Sequence, residues 1–198
     1  MRVGGAEARP PSDQRPTDQA VEVGVPSIPT PRFELVSMSL AFMRHLRAGD
    51  FEAASTEIGA AIPRTLRDDL VDFLGYRIPA LEADPSIQPW IGRVIVASAP
   101  EGRREGIGTI GFHGPPDANG RVEIGYSIEP SWRRQRVASE CVDALLAWAG
   151  SRGVSRFRAS VAPDNEPSLR IIRRLGFREV GSQIDEIDGL ELVFELDR

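Results

Sequence analysis

The chain contains no lysine. All 24 basic residues are arginine, and 29 acidic residues leave a formal net charge of −5. A coding bias explains the missing lysine more simply than a function does. The negative balance provides no field to attract nucleic acid or an anionic membrane, so neither is expected as a partner. Cys141 is the only cysteine, which excludes an internal disulfide and a multi-cysteine metal site. Two histidines, His45 and His113, are too few for a His-rich zinc centre and read as surface or loop residues. No metal is expected. No run approaches the roughly 18 apolar residues that span a bilayer. The N-terminus also lacks the continuous apolar segment of a signal peptide. The expectation is a soluble cytoplasmic protein.

Prolines are plentiful at one end. Residues 1–31 hold six of the sixteen and no aromatic residue. Such a stretch buries too little apolar area to offset its ordering entropy, so it reads as a disordered tail that folding can do without. Residues 32–198 then form one domain. Phe33 to Leu40 alternates as a strand. Helical spacing follows through Phe42 and Leu46, resumes after Gly49-Asp50 with Phe51, Ala54 and Ile58, and continues from Leu66 to Leu81 until Pro85 and Pro89. Gly92–Ser98 and Ile107–Phe112 read as strands joined by a hairpin turn around residues 101–106, and residues 114–120 read as a loop.

The richest stretch runs from Val122 to Ala149. Val122, Ile124, Tyr126 and Ile128 alternate with Glu123, Gly125 and Ser127, so the segment is a strand with two distinct faces, stopped by Pro130. Ala138, Cys141, Val142, Leu145 and Ala149 then recur at helical spacing, which predicts a helix over residues 137–150 with one face in a core. Cys141 on that stripe is a small buried hydrophobe rather than a nucleophile. The helix begins in the arginine-rich turn Arg133-Arg134-Gln135-Arg136. Free N–H groups, the positive end of the helix dipole and guanidinium groups together suit a phosphate or diphosphate there. Downstream, residues 156–161 read as a strand, Asn165 as a helix cap and Gly176 as a C-terminal left-handed residue. Residues 177–181 and 190–196 complete the sheet.

The six residues Arg133 to Ala138 resemble the acetyl-CoA signature of the GNAT superfamily of N-acetyltransferases: Arg or Gln, two variable residues, Gly, one variable residue, then Gly or Ala. The surrounding GYSIEPSWRRQ and ASEC are similar to the branch related to ribosomal-protein N-terminal acetyltransferases. A second match lies in Asn165, Glu166, Pro167, Ser168, Ile171, Ile172, Leu175, Gly176 and Phe177. The resemblance covers residues 33–197. It implies an α/β fold of α+β type, with a central, mixed, largely antiparallel sheet of about six to seven strands and helices on both faces. It also implies acetyl-CoA as co-substrate, bound by Ser127, Ile128, Arg133, Arg134, Gln135, Arg136, Val137, Ala138, Ser139 and Asn165. Arg136 departs from the motif, standing where the family has Gly. It is expected at negative φ with its side chain turned out as an extra phosphate contact. Positive φ is the alternative, and would strain it.

Acetyl transfer to an amine needs a base, a group polarising the thioester carbonyl, and a proton for the leaving thiolate. By resemblance Glu123 is the base and a main-chain N–H near Ser127 or Ile128 is the polariser. The family's donor Tyr is matched here by Ile172, which leaves Ser168, one helical turn earlier, as the candidate acid. On its own chemistry each has a plainer reading: Glu123 as a solvated strand residue, Ser168 and Asn165 as helix-terminal hydrogen bonders, and Glu140 as a dipole-complementing first-turn residue rather than a lining group of the acceptor cleft. The function implied is acetyl-CoA-dependent N-acetylation of a primary amine, on a protein N-terminus or a small molecule, by a monomer or homodimer. The alternative is a catalytically weakened acyl-CoA-binding or regulatory module.

Overall fold

The protein, described by a computed structural model over residues 24–185 and 189–198, is built on eight strands. These are β1 (Ile28–Pro29), β2 (Phe33–Ser37), β3 (Arg93–Ser98), β4 (Arg104–Phe112), β5 (Arg121–Ile128), β6 (Arg156–Val161), β7 (Arg178–Asp185) and β8 (Gly189–Asp197). They form one sheet in the order β1-β2-β3-β4-β5-β6-β8-β7. Every pairing is antiparallel except β5 with β6.

Helices α1 (Leu40–Ala48), α2 (Phe51–Ile58), α3 (Arg64–Asp68) and α4 (Val71–Ala83) sit between β2 and β3, while α5 (Val137–Gly150) joins β5 to β6 and α6 (Glu166–Arg174) joins β6 to β7. Their ends follow local chemistry. Ser39 and Asp50 cap α1 and α2 by accepting from the Phe42 and Ala53 amides, and Gly49 and Gly59 end these helices in the left-handed conformation.

Strand alternation divides the core in two. On β3, Val94 and Val96 join Phe42, Met43, Leu46, Leu74, Ile78 and Leu81 of the first helical block. Ile95 and Ala97 face the other way and pack with α5 and α6 through Val137, Cys141, Leu145, Leu169 and Ile172. Both faces of this antiparallel sheet are therefore covered. Burial pushes the Cys141 thiol up to about 12, which keeps it protonated and inert. Among the described residues no helix is long and apolar enough to cross a membrane.

One strand more is present than the sequence suggests. Ile28 and Pro29 pair with Leu35 and Glu34, and Ile28 is buried. Residues 24–31 were read from composition as the end of a tail, but Ile28 has a core site to fill and the guanidinium of Arg93 reaches the Pro26 carbonyl. Arg93 is wholly buried. It also donates to the carbonyls of Leu35 and Pro89 and lies over the Trp148 ring, so one cation ties the N-terminal segment to β2, β3 and α5. Residues 1–23 lie outside the described residues.

Candidate active site

The fork between β5 and β6 is the feature around which the site is built. These strands pair at Arg121 with Arg156, Val122 with Phe157 and Glu123 with Arg158, and no further. Both strands continue, to Ile128 and Val161, so they part beyond Glu123. Toward β4, His113 N–H donates to the Glu123 carbonyl and Glu129 N–H to the Ile107 carbonyl. Antiparallel alternation then commits the backbone of Glu123, Gly125 and Ser127 to β4 and turns that of Ile124, Tyr126 and Ile128 toward the fork. Of the two amides expected to polarise a carbonyl, Ser127's belongs to the ladder and Ile128's faces the opening. The Ser127 hydroxyl instead donates to Asp69 at 3.2 Å, between α3 and α4.

Beside the fork lies the N-terminus of α5. Arg136 is its cap residue at φ 62°, ψ 16°, and supplies no side-chain cap bond. Arg134 is also left-handed, at φ 61°. The expectation of negative φ at Arg136 is therefore overturned: the chain needs a left-handed residue there to swing into α5, and arginine adopts the conformation that the motif glycine would adopt freely. A left-handed residue followed by a helical one, as Arg136 is by Val137, turns successive N–H groups into one concavity, a shape that binds anions. Val137 and Ala138 are buried, so their amides are what they can offer.

The arginines of the turn differ in use. All three are exposed, but Arg133 folds back, its Nε donating to the Ile128 carbonyl at 2.9 Å. Gln135 donates from Nε2 to the Ser131 carbonyl at 3.0 Å and its own carbonyl accepts from Arg32 Nη2 at 2.9 Å. Arg32 reaches on to Glu140 through Nε at 2.7 Å, and Glu140 also accepts from the Arg32 amide and the Thr30 hydroxyl. Burial opposes the Glu140 carboxylate, but the bonds from Thr30 and Arg32 outweigh it and hold its pKa below the usual range. Glu140 thus anchors the N-terminal segment to the arginine-rich turn. Trp132 packs edge-on against Phe33 and donates to Glu105 at 3.2 Å, a packing role.

Glu123, Gly125 and Ser127 lie on the α1–α4 face of β5. Glu123 Oε1 accepts from the Ser160 hydroxyl at 2.5 Å, and Arg158 Nε lies 3.8 Å from Oε2. Ser160 in turn accepts from Gln183 Nε2 at 3.2 Å. Directly across the ladder stands His113, and a Cβ placed on Gly125 would lie 3.0 Å from its Nε2, so the imidazole covers Gly125. A cavity opens beside it, lined by Met38, Leu70, Phe73, Thr109, His113 and Ser127. Its floor is bare sheet: a Cβ on Gly92 would meet Phe73 at 2.6 Å, and one on Gly111 would meet the Ile91 carbonyl at 2.8 Å. Reading the sequence missed His113, Arg158 and Ser160. The polar alternation of β6 was a signal for the last two, but only strand pairing brings His113 to Glu123.

Tyr126 points the opposite way, into the α5–α6 core, toward the first turn of α6. There Asn165 caps the helix, its Oδ1 accepting from the Ser168 amide at 3.2 Å, and Ile172 is fully buried. Burial pushes the Tyr126 phenol above its usual pKa, and the Ser168 hydroxyl beside it offsets part of that rise.

The matching family model is the acetyltransferase (GNAT) domain, over residues 42–178. The chain belongs to the GNAT acetyltransferase family. Among relatives, the uncharacterised N-acetyltransferase YoaA of Bacillus subtilis is 42% identical over 79 residues, 39% of this chain and 45% of that protein. The chain thus matches less than half the length of that relative. A solved structure, the acetyltransferase that modifies the N-terminal serine of ribosomal protein L7/L12 from Salmonella typhimurium, superposes with a TM-score of 0.58 at 17% identity, covering 87% of this chain and 99% of its own. The microcin C7 self-immunity acetyltransferase MccE, solved with acetyl-CoA and AMP, gives 0.58 at 18% identity, covering 85% and 93%. These two likenesses establish the fold. In this GNAT domain a forked β5–β6 pair lies beside a helix start that has no side-chain cap.

Proposed function

We propose that the protein is an acetyl-CoA-dependent N-acetyltransferase that moves an acetyl group to a primary amine by direct transfer in a ternary complex. The observation that carries this reading is the fork itself, with the amide of Ile128 turned into it, the uncapped N-terminus of α5 at its mouth and Glu123 at its apex. Acetyl-CoA supplies an activated acetyl group as a thioester. The first-turn amides of α5, including those of Val137, Ala138 and Ser139, bind its pyrophosphate, helped by the exposed Arg134 and Arg136. Gln135 and Arg133 hold the turn in shape, and Asn165 fixes the start of α6. The Ile128 amide donates to the thioester carbonyl.

The amine enters from the α1–α4 face, where Glu123 accepts its proton, directly or through water. Ser160 and Arg158 hold that carboxylate in place. The leaving sulfur takes its proton from the Ser168 side of the fork. A protein N-terminus and a small-molecule amine are both acceptable on this geometry. The protein works in the cytoplasm, as a monomer or homodimer, without nucleic acid or membrane partners.

Ile172 in place of the family's Tyr favours a second reading, an acyl-CoA-binding module with weakened turnover. A thermal shift with acetyl-CoA, followed by an amine panel scored by release of free CoA, separates the two. Stabilisation plus CoA release on at least one amine supports the enzyme; stabilisation with no release on any supports the module; neither result overturns both.

A further inference from the structure

Tyr126 has a hydroxyl that is buried yet forms no hydrogen bond within the described residues. An orphaned buried hydroxyl destabilises a fold, and a fold keeps one where it has a use. Tyr126 lies at the parting of β5 and β6, two residues before the Ile128 amide, and the Ser168 side chain in the first turn of α6 lies near its phenol without closing a hydrogen bond. Glu123 lies three residues earlier on the opposite face. A thioester carbonyl polarised at the fork therefore has a carboxylate on one side and a phenol on the other.

Resting on the function proposed above, we infer that Tyr126 is the proton donor to the sulfur of CoA, with Ser168 behind it as the relay to solvent. Chemistry favours the phenol over the serine for the final transfer. The reference pKa values of a thiol and a phenol are about 8.5 and 10, and although burial raises the Tyr126 phenol, it remains a far stronger acid than a serine hydroxyl. The step balances. The amine nitrogen bonds to the acetyl carbon as the carbon–sulfur bond breaks, and Glu123 takes the proton that leaves nitrogen. Tyr126 gives its proton to the departing sulfur. The phenolate recovers one from solvent through the Ser168 hydroxyl, and Glu123 releases one. This donor comes from β5, whereas the expected one came from α6, where Ile172 cannot serve.

The test uses the full chain and CoA itself, without any acceptor. The thiolate of bound CoA is followed by ultraviolet absorbance against pH, with the desulfo-CoA complex subtracted so that the protein's own titration cancels. A phenol donating to sulfur favours the thiolate, so Tyr126→Phe is expected to leave about tenfold less thiolate at a given pH while desulfo-CoA binds as before. Ser168→Ala is expected to shift the titration the same way by less, and decides the matter should Tyr126→Phe not fold. Equal thiolate populations in the wild type and in the variant that folds would overturn Tyr126 as donor while leaving the acetyltransferase reading intact. If wild type binds no CoA, the function proposed above fails and the donor role goes with it.

Discussion

Arg136 at φ 62° holds a conformation that costs an L residue about 1–2 kcal/mol relative to the right-handed region. Because the strain is present in the fold without ligand, it weighs on folding before it weighs on binding. Arg136→Gly relieves it, against a Gly entropy cost of about 0.5–1 kcal/mol. We therefore expect a net gain of up to about 1 kcal/mol by denaturant unfolding, and none for Arg136→Ala, which keeps the strain. A loss of stability on Arg136→Gly would show that the guanidinium does something the contacts do not reveal. At Glu123 the expectation is kinetic. Glu123→Gln should leave CoA binding nearly unchanged and lower turnover by about 10²–10³ at neutral pH, with a smaller deficit at high pH where more amine is already free. Steady-state rates across pH test this, and an unchanged neutral-pH rate would return Glu123 to a structural part in the Ser160 network.

Among the elements, α5 was the most legible: its predicted span, residues 137–150, is the observed one, because apolar residues at helical spacing carry that information locally. The strand alternation of β5 was equally clear. Contacts between distant elements were not. Nothing in the order of residues told that Thr30 and Arg32 bond to Glu140, more than a hundred positions away. Nor could local pattern show that a loop of polar residues brings His113 opposite Glu123.

The Glu140 anchor makes its own prediction. A carboxylate whose pKa is lowered in the fold stabilises it above the unfolded value, about 4.3 for Glu, and that contribution disappears as pH falls through the folded value. Thermal melts should then show wild type losing its advantage over Glu140→Gln as the solution is acidified below about pH 4. At neutral pH Glu140→Gln should also bind CoA less tightly, because Gln135 and its turn lose a fixed neighbour. A constant gap between the two proteins from neutral to acid would refute the anchor.

For the molecule as a whole, composition bounded the class, and periodicity with the GNAT resemblance gave the covered, mostly antiparallel sheet. What they left open was how its halves are joined. A run of five strands, β1 to β5, meets a run of three, β6 to β8, through the short parallel ladder that ends at Glu123 and Arg158. Helices α5 and α6 brace this junction from one face. Few backbone bonds cross it, so it is a natural boundary between cooperative unfolding units. A molecule of CoA lying in the opening would bridge both margins. Amide hydrogen exchange should accordingly be faster at Ser160, whose amide faces the opening while those of Ala159 and Val161 face β8, than in the interior of β3, and should slow on CoA addition. The ligand would then act as a removable seam: local openings that expose one half alone become rarer, and the two halves unfold together.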